Sequence, residues 1–281
     1  MEFFDWFMGA VAERAPQTLR IEGIRYLTGT ILVFLMVWVL FERPLRNRKI
    51  RKGTPRTKQI RREIAYSALS VVVFMFMGVF VYEGAAGGWF KFYSDVGQYG
   101  WAYLAFSIVA LALFHDAYFY WTHRLIHHPK LFRYFHATHH RSHNPTPFTA
   151  YSFDPGEAAV NYMFIPVFAF FVPLHDIATI IYMWLMIVRN AAGHSGYELM
   201  PKSWARHPIL GALTSVTHHD MHHEKMTGNY ALYFTWWDRL MGTEHSHYME
   251  RFDKAVGNET PQGETVAVPT PAPAPARSLA Q

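Results

Sequence analysis

Three long uncharged runs in the first half of the chain constrain its fold more than any other feature. The runs are Tyr26–Phe41, Ala65–Tyr82 and the first part of Trp101–Thr122. Each is long enough, with its flanking side chains, to cross the hydrocarbon core of a bilayer as a helix. The chain is also 51% hydrophobic and 17% aromatic. These features predict an all-α integral membrane helical bundle with about three to five membrane segments.

A basic loop sets the expected orientation of this bundle. Residues 43–62 carry ten Lys or Arg side chains between the first and second runs. Short loops rich in Lys and Arg remain on the cytoplasmic side. Two further crossings return the chain to that side near residue 122. We therefore expect the segment that follows to form a cytoplasmic helical cap, and we expect the net charge of +5 to reflect topology rather than binding to nucleic acid.

The two ends of the chain differ from its centre. Residues 1–22 are amphipathic and aromatic, which predicts an interfacial helix rather than a signal peptide. Residues 23–250 form the expected catalytic domain. Residues 251–281 are rich in Pro and Ala, and this composition predicts a disordered tail.

Two further apolar runs, Ala158–Leu174 and Ile177–Val188, meet at His175-Asp176. The second run would form about 18 Å of helix, which is short of the roughly 30 Å of hydrocarbon in a bilayer. This favours a hairpin that enters the membrane and returns, although two tilted spans remain open. Either arrangement brings His194 back to the cytoplasmic side.

Histidines dominate the segment that follows the third run. Eight of the chain's 17 histidines lie in residues 115–143, and a second cluster occupies residues 218–223. We define three boxes: His123–His127, His136–His140 and His219–His223. Because positions i, i+3 and i+4 share one face of a helix, we expect each of the last two boxes to direct three imidazoles to one point. A metal that binds neutral imidazole would remove the repulsion between charged rings.

The predicted metal ligands are the histidines of the three boxes together with one that follows the hairpin: His123, His127, His136, His139, His140, His194, His219, His222 and His223. So many imidazoles suit two octahedral metals better than one tetrahedral zinc. Spacing alone does not identify the element. The absence of cysteine excludes thiolate zinc sites and iron–sulfur clusters.

Several other residues are open candidates for the site. His128 and His218 could each complete the ligand set. Asp116 lies on the same helical face as the first box, so we expect it to be a ligand or to orient one. Glu157 and Asp220 are candidates for the same orienting role, or for a structural one.

The boxes and their neighbours resemble the fatty acid hydroxylase/sterol desaturase superfamily of membrane di-iron oxygenases. The matching motifs are Asp116 with Tyr120-Trp121-x-His123-Arg124-x-x-His127-His128-Pro129, His136-x-x-His139-His140, His219-x-x-His222-His223, and Asn229-Tyr230 with Trp237-Asp238-Arg239-Leu240-x-Gly242-Thr243. The resemblance covers residues 65–245. It is greatest to the sterol C5-desaturase branch, through Pro145-Thr146-Pro147-Phe148, Pro173-Leu174-His175 and the paired His218-His219.

The resemblance implies an O2-dependent enzyme that hydroxylates or desaturates a lipid of the sterol or fatty-acyl class. It implies two iron ions, O2 as co-substrate and a separate electron donor of the cytochrome b5 or ferredoxin type, with Asp116 serving the catalytic site. The alternative is a histidine-rich membrane metal transporter or metal-binding protein. That reading is disfavoured because a transporter needs ligands near the bilayer midplane. A zinc hydrolase would use a motif such as His-Glu-x-x-His, which the sequence lacks.

Overall fold

The fold is known from a computed structural model, which describes residues 2–257. Three of its helices are long and apolar enough to cross a membrane: Phe4–Leu40, Thr57–Ala86 and Gly100–Ile126. Large apolar side chains such as Leu32 and Phe106 are exposed on these helices, as contact with lipid requires. The prediction of an all-helical membrane bundle is therefore confirmed.

Besides short 3-10 helices, the described residues form twelve α-helices and two strands of two residues each. In chain order they are α1 (Glu2–Phe34), α2 (Glu42–Leu45), α3 (Thr57–Ala86), β1 (Phe92–Tyr93), α4 (Gly100–Ile126), α5 (Pro129–Phe135), α6 (Ala137–His140), α7 (Pro155–Tyr162), α8 (Phe164–Phe171), β2 (Leu174–His175), α9 (Asp176–Gly193), α10 (Val216–Lys225), α11 (Trp236–Leu240) and α12 (Tyr248–Val256). A π-helical segment, Leu35–Leu40, extends α1 without a break.

The N-terminal segment corrects one prediction. Residues 1–22 were expected to form a separate interfacial helix, but the described part of this segment is the first two thirds of α1. Its charged residues interrupt the apolar run in the sequence, but in the fold some of them pair with side chains of other helices. Arg14 donates to the carboxylate of Glu83 on α3 at 2.5 Å. Val11 packs against the same helix, so tertiary contacts hold this segment within the bundle.

The basic loop docks on the polar side of the molecule. Lys49 forms an isolated antiparallel bridge with Tyr197, in the segment that follows α9. The guanidinium of Arg51 donates to both carboxylate oxygens of Asp220 on α10, at 3.0 Å or less. The loop therefore lies against the helix that carries the third histidine box.

The predicted hairpin is present. Helices α7 and α8 lead away from the histidines, and α9 returns towards them. At the turn, β2 pairs in parallel with β1, placing His175 opposite Tyr93. Because β1 follows the far end of α3, the turn lies beside that end of the bundle. The hairpin helices are not among the three described helices that are long and apolar enough to cross a membrane.

The C-terminal boundary also differs from the expectation. The tail was predicted to begin at residue 251, but residues 251–256 belong to α12. Its apolar side chains Tyr248, Phe252 and Val256 recur at helical spacing and pack against Met221 of α10. The remainder of the predicted tail, residues 258–281, lies outside the described residues.

Candidate metal centre

The nine predicted ligands come together in two adjacent groups. The five-histidine group consists of His123, His127, His136, His140 and His222, and the four-histidine group consists of His139, His194, His219 and His223. Within each group, one ring nitrogen of every histidine lies within 4.8 Å of the others. The rings of His140 and His223 are 5.0 Å apart between centroids, so the two groups are neighbours.

Each three-histidine box is divided between the groups, which corrects the expectation that a box converges on one point. In the second box, His136 and His140 join the five-histidine group and His139 joins the other. The third box does the reverse and gives only His222 to the five-histidine group. For the third box, which lies on the continuous helix α10, the reason is the helical turn of about 100° per residue: i and i+4 differ by about 40°, whereas i+3 lies about 60° to the opposite side. Such a box suits two neighbouring sites.

The second box is not on one continuous helix. His136 lies between α5 and α6 with φ −138° and ψ −6°, outside helical geometry. The break directs its ring towards α4, where Nε2 lies 2.9 Å from Nε2 of His123. His139 and His140 then follow on the short helix α6.

The spacing of the inner nitrogens matches what a metal requires. The Nε2 atoms of His127 and His222 are 3.2 Å apart, and those of His194 and His219 are 2.8 Å apart. Ligands at right angles, with bonds of about 2.1 Å to a common ion, lie about 3 Å apart. Nε2 of His127 also lies 3.2 Å from Nε2 of His140. One ring nitrogen has a single proton or a single lone pair, so hydrogen bonding alone does not satisfy this set.

The outer nitrogens fix the rings in the form that binds metals. Four Nδ1 atoms lie 2.8–3.3 Å from backbone carbonyl oxygens: His123 at Tyr230, His139 at Ser152, His194 at Asn190 and His222 at Gly228. A carbonyl only accepts, so each Nδ1 carries the proton and donates. The lone pair of each Nε2 is then directed inwards, as in histidines that bind metal ions.

His136 has a carboxylate instead of a carbonyl beside its Nδ1. Oε1 of Glu157 lies 2.7 Å away, although this contact is not aligned as a regular hydrogen bond. Burial, followed by the charge of Asp154, raises the pKa of Glu157 well above its usual value. The position fits the orienting role predicted for Glu157, which stays a prediction.

Burial keeps the imidazoles neutral. It lowers the pKa of His127 to about 2, with a further contribution from His222, and the pKa of His194 to about 4. The pKa of His139 is likewise lowered well below its usual value, first by burial and then by His194. Neutral imidazole is the form that binds metal ions.

Asp116 lies outside both groups. Its Oδ1 accepts the backbone N–H groups of Tyr233 at 2.8 Å and Phe234 at 3.1 Å, and its Oδ2 accepts the indole N–H of Trp236 at 2.8 Å. The same C-terminal segment supplies the Tyr230 carbonyl to the five-histidine group. The geometry therefore favours a positioning role for Asp116, whose predicted catalytic role remains untested.

The other open candidates are also outside the groups. His128 is exposed and caps α5. His218 is buried with Nε2 3.6 Å from a carboxylate oxygen of Asp238. Asp220 pairs with Arg51.

The sequence did not predict that the backbone carbonyls of Ser152, Gly228 and Tyr230 orient ligands, because every residue has a carbonyl. Only the Thr-Gly-Asn turn at residues 227–229 marks the point where the backbone reverses towards the site.

An apolar cavity of about 40 Å³ adjoins the two groups from inside the bundle. Its wall includes Phe119, whose ring contacts His123 at 4.8 Å between centroids, and Phe153, which contacts His139 at 5.3 Å. The centre thus has protein backbone on one side and an apolar space on the other.

Comparison with known proteins identifies the same segment. The model of the fatty acid hydroxylase family matches residues 108–243, which include all nine histidines. The histidine groups and this match together indicate metal binding. No solved structure matches the chain.

Several proteins named as sterol desaturases, oxidases or monooxygenases are similar to the chain. Delta(7)-sterol 5(6)-desaturase ERG3B of Gibberella zeae is 30% identical over 191 residues, which cover 67% of this chain and 57% of that protein. Lathosterol oxidase of Rattus norvegicus is 30% identical over 190 residues, 66% of this chain and 61% of that protein. Methylsterol monooxygenase 1 of the same species is 29% identical over 158 residues, 55% of this chain and 52% of that protein. The aligned segments therefore span less than two thirds of these relatives. They confirm the resemblance seen in the sequence, and residues 108–243 form a fatty acid hydroxylase domain.

Proposed function

We propose that the chain is a membrane-bound di-iron oxygenase that hydroxylates or desaturates a lipid, using O2 and electrons from a separate donor. The observation that carries this proposal is the pair of adjacent groups of neutral histidines beside an apolar cavity at the end of the membrane helices. The relatives are named as sterol desaturases and oxidases, which supports a lipid of the sterol class, with fatty-acyl lipids as the broader possibility.

The two groups fit two iron ions. Five and four nitrogen donors leave positions free in six-coordinate shells, as iron sites that react with exogenous ligands require. Imidazole also serves zinc, copper and nickel, so the choice of iron rests on the family. In this proposal all nine histidines are ligands, and Asp116 and Glu157 hold ligands or their supports in place.

Bound iron would supply the redox chemistry, in which O2, two electrons and two protons convert a C–H group into C–OH and water, or remove two hydrogens with release of two waters. The chain's own residues orient the ligands and exclude water. The carbonyls beside Nδ1 hold the rings in one tautomer and one orientation. Phe119 and Phe153 wall the space beside the centre and exclude water from a bound lipid.

The proposal places the centre on the cytoplasmic face with its electron donor, a cytochrome b5-like or ferredoxin-like protein. Support comes from the basic loop, which packs against α10 through Arg51 and Asp220. The loop that argues for the cytoplasmic side is thus in contact with the helix that carries the third box.

Metal analysis of single-histidine variants tests the metal assignment. We expect about two iron ions per wild-type chain, and about one each after His222→Ala in the five-histidine group or His194→Ala in the four-histidine group. The exposed His128→Ala is the matched control and should keep both. One metal or none in active wild-type protein would contradict the di-iron centre.

Mass spectrometry of lipid extracts from cells with and without the protein tests the reaction. A product heavier by one oxygen atom indicates hydroxylation, and one lighter by two hydrogen atoms indicates desaturation. If no lipid changes while metal uptake does, the proposal fails in favour of metal transport.

A further inference from the structure

One polar side chain in the wall of the apolar cavity has no role in the metal centre. His115 of α4 lines the cavity among Phe74, Phe119, Phe164 and Met183. It belongs to neither histidine group. Its ring stacks on Phe164 with centroids 3.7 Å apart and planes 9° apart, which fixes its orientation.

Two tyrosines determine which nitrogen of His115 carries the proton. Nδ1 lies 2.9 Å from the hydroxyl of Tyr182 and 3.2 Å from that of Tyr233, and the two hydroxyls are 3.2 Å apart. All hydroxyl protons are used when Tyr182 donates to Tyr233 and Tyr233 donates to Nδ1. Nδ1 is then the acceptor, and the proton of the neutral ring is on Nε2.

This Nε2–H group lacks an acceptor. Among the described residues no hydrogen bond to Nε2 occurs, and this nitrogen is not one of the fully enclosed unpaired atoms. Two other polar groups in the wall are paired: Asn190 donates to the carbonyl of Ala150 at 2.7 Å, and Tyr162 donates to Glu22 at 3.3 Å. The hydroxyl of Tyr151, also in the wall, is fully enclosed and has no hydrogen-bond partner among the described residues. A donor that faces an apolar space favours a ligand that brings an acceptor oxygen.

The position of His115 limits the ligand further. It precedes His123 by eight residues on one helix, about 12 Å along the axis. A ligand that places an oxygen at His115 must therefore place the carbon to be oxidised about 12 Å away, beside the histidine groups. A compact ring system with a hydroxyl group meets this limit, whereas an acyl chain oxidised far from its carboxylate does not.

We propose that His115 binds the hydroxyl oxygen of a sterol-like lipid and so determines which carbon faces the metal centre. This inference rests on the proposed lipid oxidation for the identity of the substrate. Tyr182 and Tyr233 act through His115 as positioning residues. Asp116 supports them, because it accepts the backbone N–H of Tyr233 at 2.8 Å.

A sterol-like lipid is larger than this cavity, so the cavity must enlarge when the lipid binds. The space of about 40 Å³ shares Tyr162 and Met183 with an outer pocket of about 250 Å³ between α1, α3 and α9. Methionine changes rotamer readily. Displacement of this shared wall joins the two spaces and gives the lipid a path from the side of the bundle.

Binding to metal-loaded protein in detergent tests the proposal without turnover. The probes are cholesterol and cholestane, which lacks the hydroxyl, with hexadecanol and hexadecane as the acyl pair. We expect wild-type protein to bind cholesterol roughly tenfold more tightly than cholestane, as one buried hydrogen bond provides. The acyl pair should show a smaller difference.

Three variants complete the test. His115→Phe keeps the stacked ring and should remove the preference for cholesterol over cholestane, while His115→Gln, which retains a donor, should keep part of it. The surface control His247→Phe should keep all of it. Metal content checks that each variant is folded. Equal binding of the sterol pair by wild-type protein, or an undiminished preference in His115→Phe, overturns the inference.

The outcomes also separate this inference from the proposed function. A hydroxyl preference that depends on His115, without any lipid oxidation, retains the binding site and rejects the oxygenase. Lipid oxidation by wild-type protein without the hydroxyl preference retains the oxygenase and rejects the binding site at His115.

Discussion

At the scale of single residues, the candidate centre depends on what touches the outer nitrogen of each histidine. A carbonyl fixes four rings, whereas His136 has the Glu157 carboxylate at 2.7 Å. A carboxylate in this position orients the ring and increases its basicity. Among the described residues, Glu157 is therefore the acidic side chain whose removal should weaken the metal centre directly.

The corresponding prediction concerns metal retention. Glu157→Ala should weaken metal binding roughly tenfold to a hundredfold, and Glu157→Gln should have a smaller effect because it keeps an acceptor oxygen. Titration with a chelator and metal analysis measure this. Glu250→Gln, on an exposed glutamate, is the control. Unchanged retention in Glu157→Ala would show that the contact has no part in holding the metal.

At the scale of elements, the segment from Gly228 to Thr243 closes the site over α4. Asp116 holds it at Tyr233, Phe234 and Trp236, as described above. Asp238 accepts the backbone N–H groups of Tyr230 and Ala231 at 2.9 Å each. Two carboxylates thus fix a segment whose carbonyls orient two histidines. Its contribution is structural support for the five-histidine group.

We predict that Asp116→Ala destabilises the protein by about 3 kcal/mol, because three donors lose a buried charged acceptor. Asp116→Asn keeps one acceptor oxygen and should lose less. Thermal unfolding in detergent measures the change, and Asp95→Ala on the exposed loop after β1 is the control. If Asp116→Ala melts like wild-type protein but has lost its metal, the carboxylate serves the metal centre and not the segment.

The basic loop offers a second prediction at this scale. Arg51→Ala leaves the Asp220 carboxylate buried without its partner, so it should cost about 3 kcal/mol. Replacing both residues, with Arg51→Met and Asp220→Leu, should recover most of the loss. The exposed neighbour Lys52→Ala should be neutral. Denaturant or thermal unfolding of wild-type protein and these three variants measures the changes in stability. A double variant as unstable as Arg51→Ala would rule out an unpaired charge as the cause.

The elements also show which features of the fold and the site could be predicted from the sequence and which could not. Apolar runs and histidine spacing predicted the spans, the hairpin and the nine clustered histidines, since both patterns are local. The division of the second and third boxes between the two groups depends on which sides of α6 and α10 face a neighbour. The length of α1 was missed for a related reason: the partner of Arg14 is Glu83, on another helix. Tertiary pairing of this kind leaves no local pattern.

At the scale of the whole molecule, the two groups are assembled from distant parts of the chain. The second and third boxes contribute to both groups, while His194 is brought in by α9 and serves only the four-histidine group. Both groups therefore require the C-terminal part of the chain to fold against the end of α4. The hairpin matters most for the four-histidine group, because His194 ends its returning helix.

The orientation of the molecule in the membrane gives the last prediction. The sequence contains no cysteine, so single-cysteine variants can be labelled at one position without a background. Lys52→Cys in the basic loop and Lys254→Cys in α12 are on exposed residues of the histidine side. Gln98→Cys is on an exposed residue between β1 and α4, at the other end of the bundle. With a thiol reagent that does not cross membranes, we expect intact cells to label only Gln98→Cys.

Permeabilised cells should label all three variants, which shows that each thiol is reactive. The physical reason for expecting this orientation is the basic loop, whose ten Lys and Arg side chains oppose transfer across the membrane. Labelling of Lys52→Cys and Lys254→Cys in intact cells, without Gln98→Cys, would place the histidine groups outside the cell. The metal centre would then face away from any cytoplasmic electron donor, and a donor on the outer side would have to be sought.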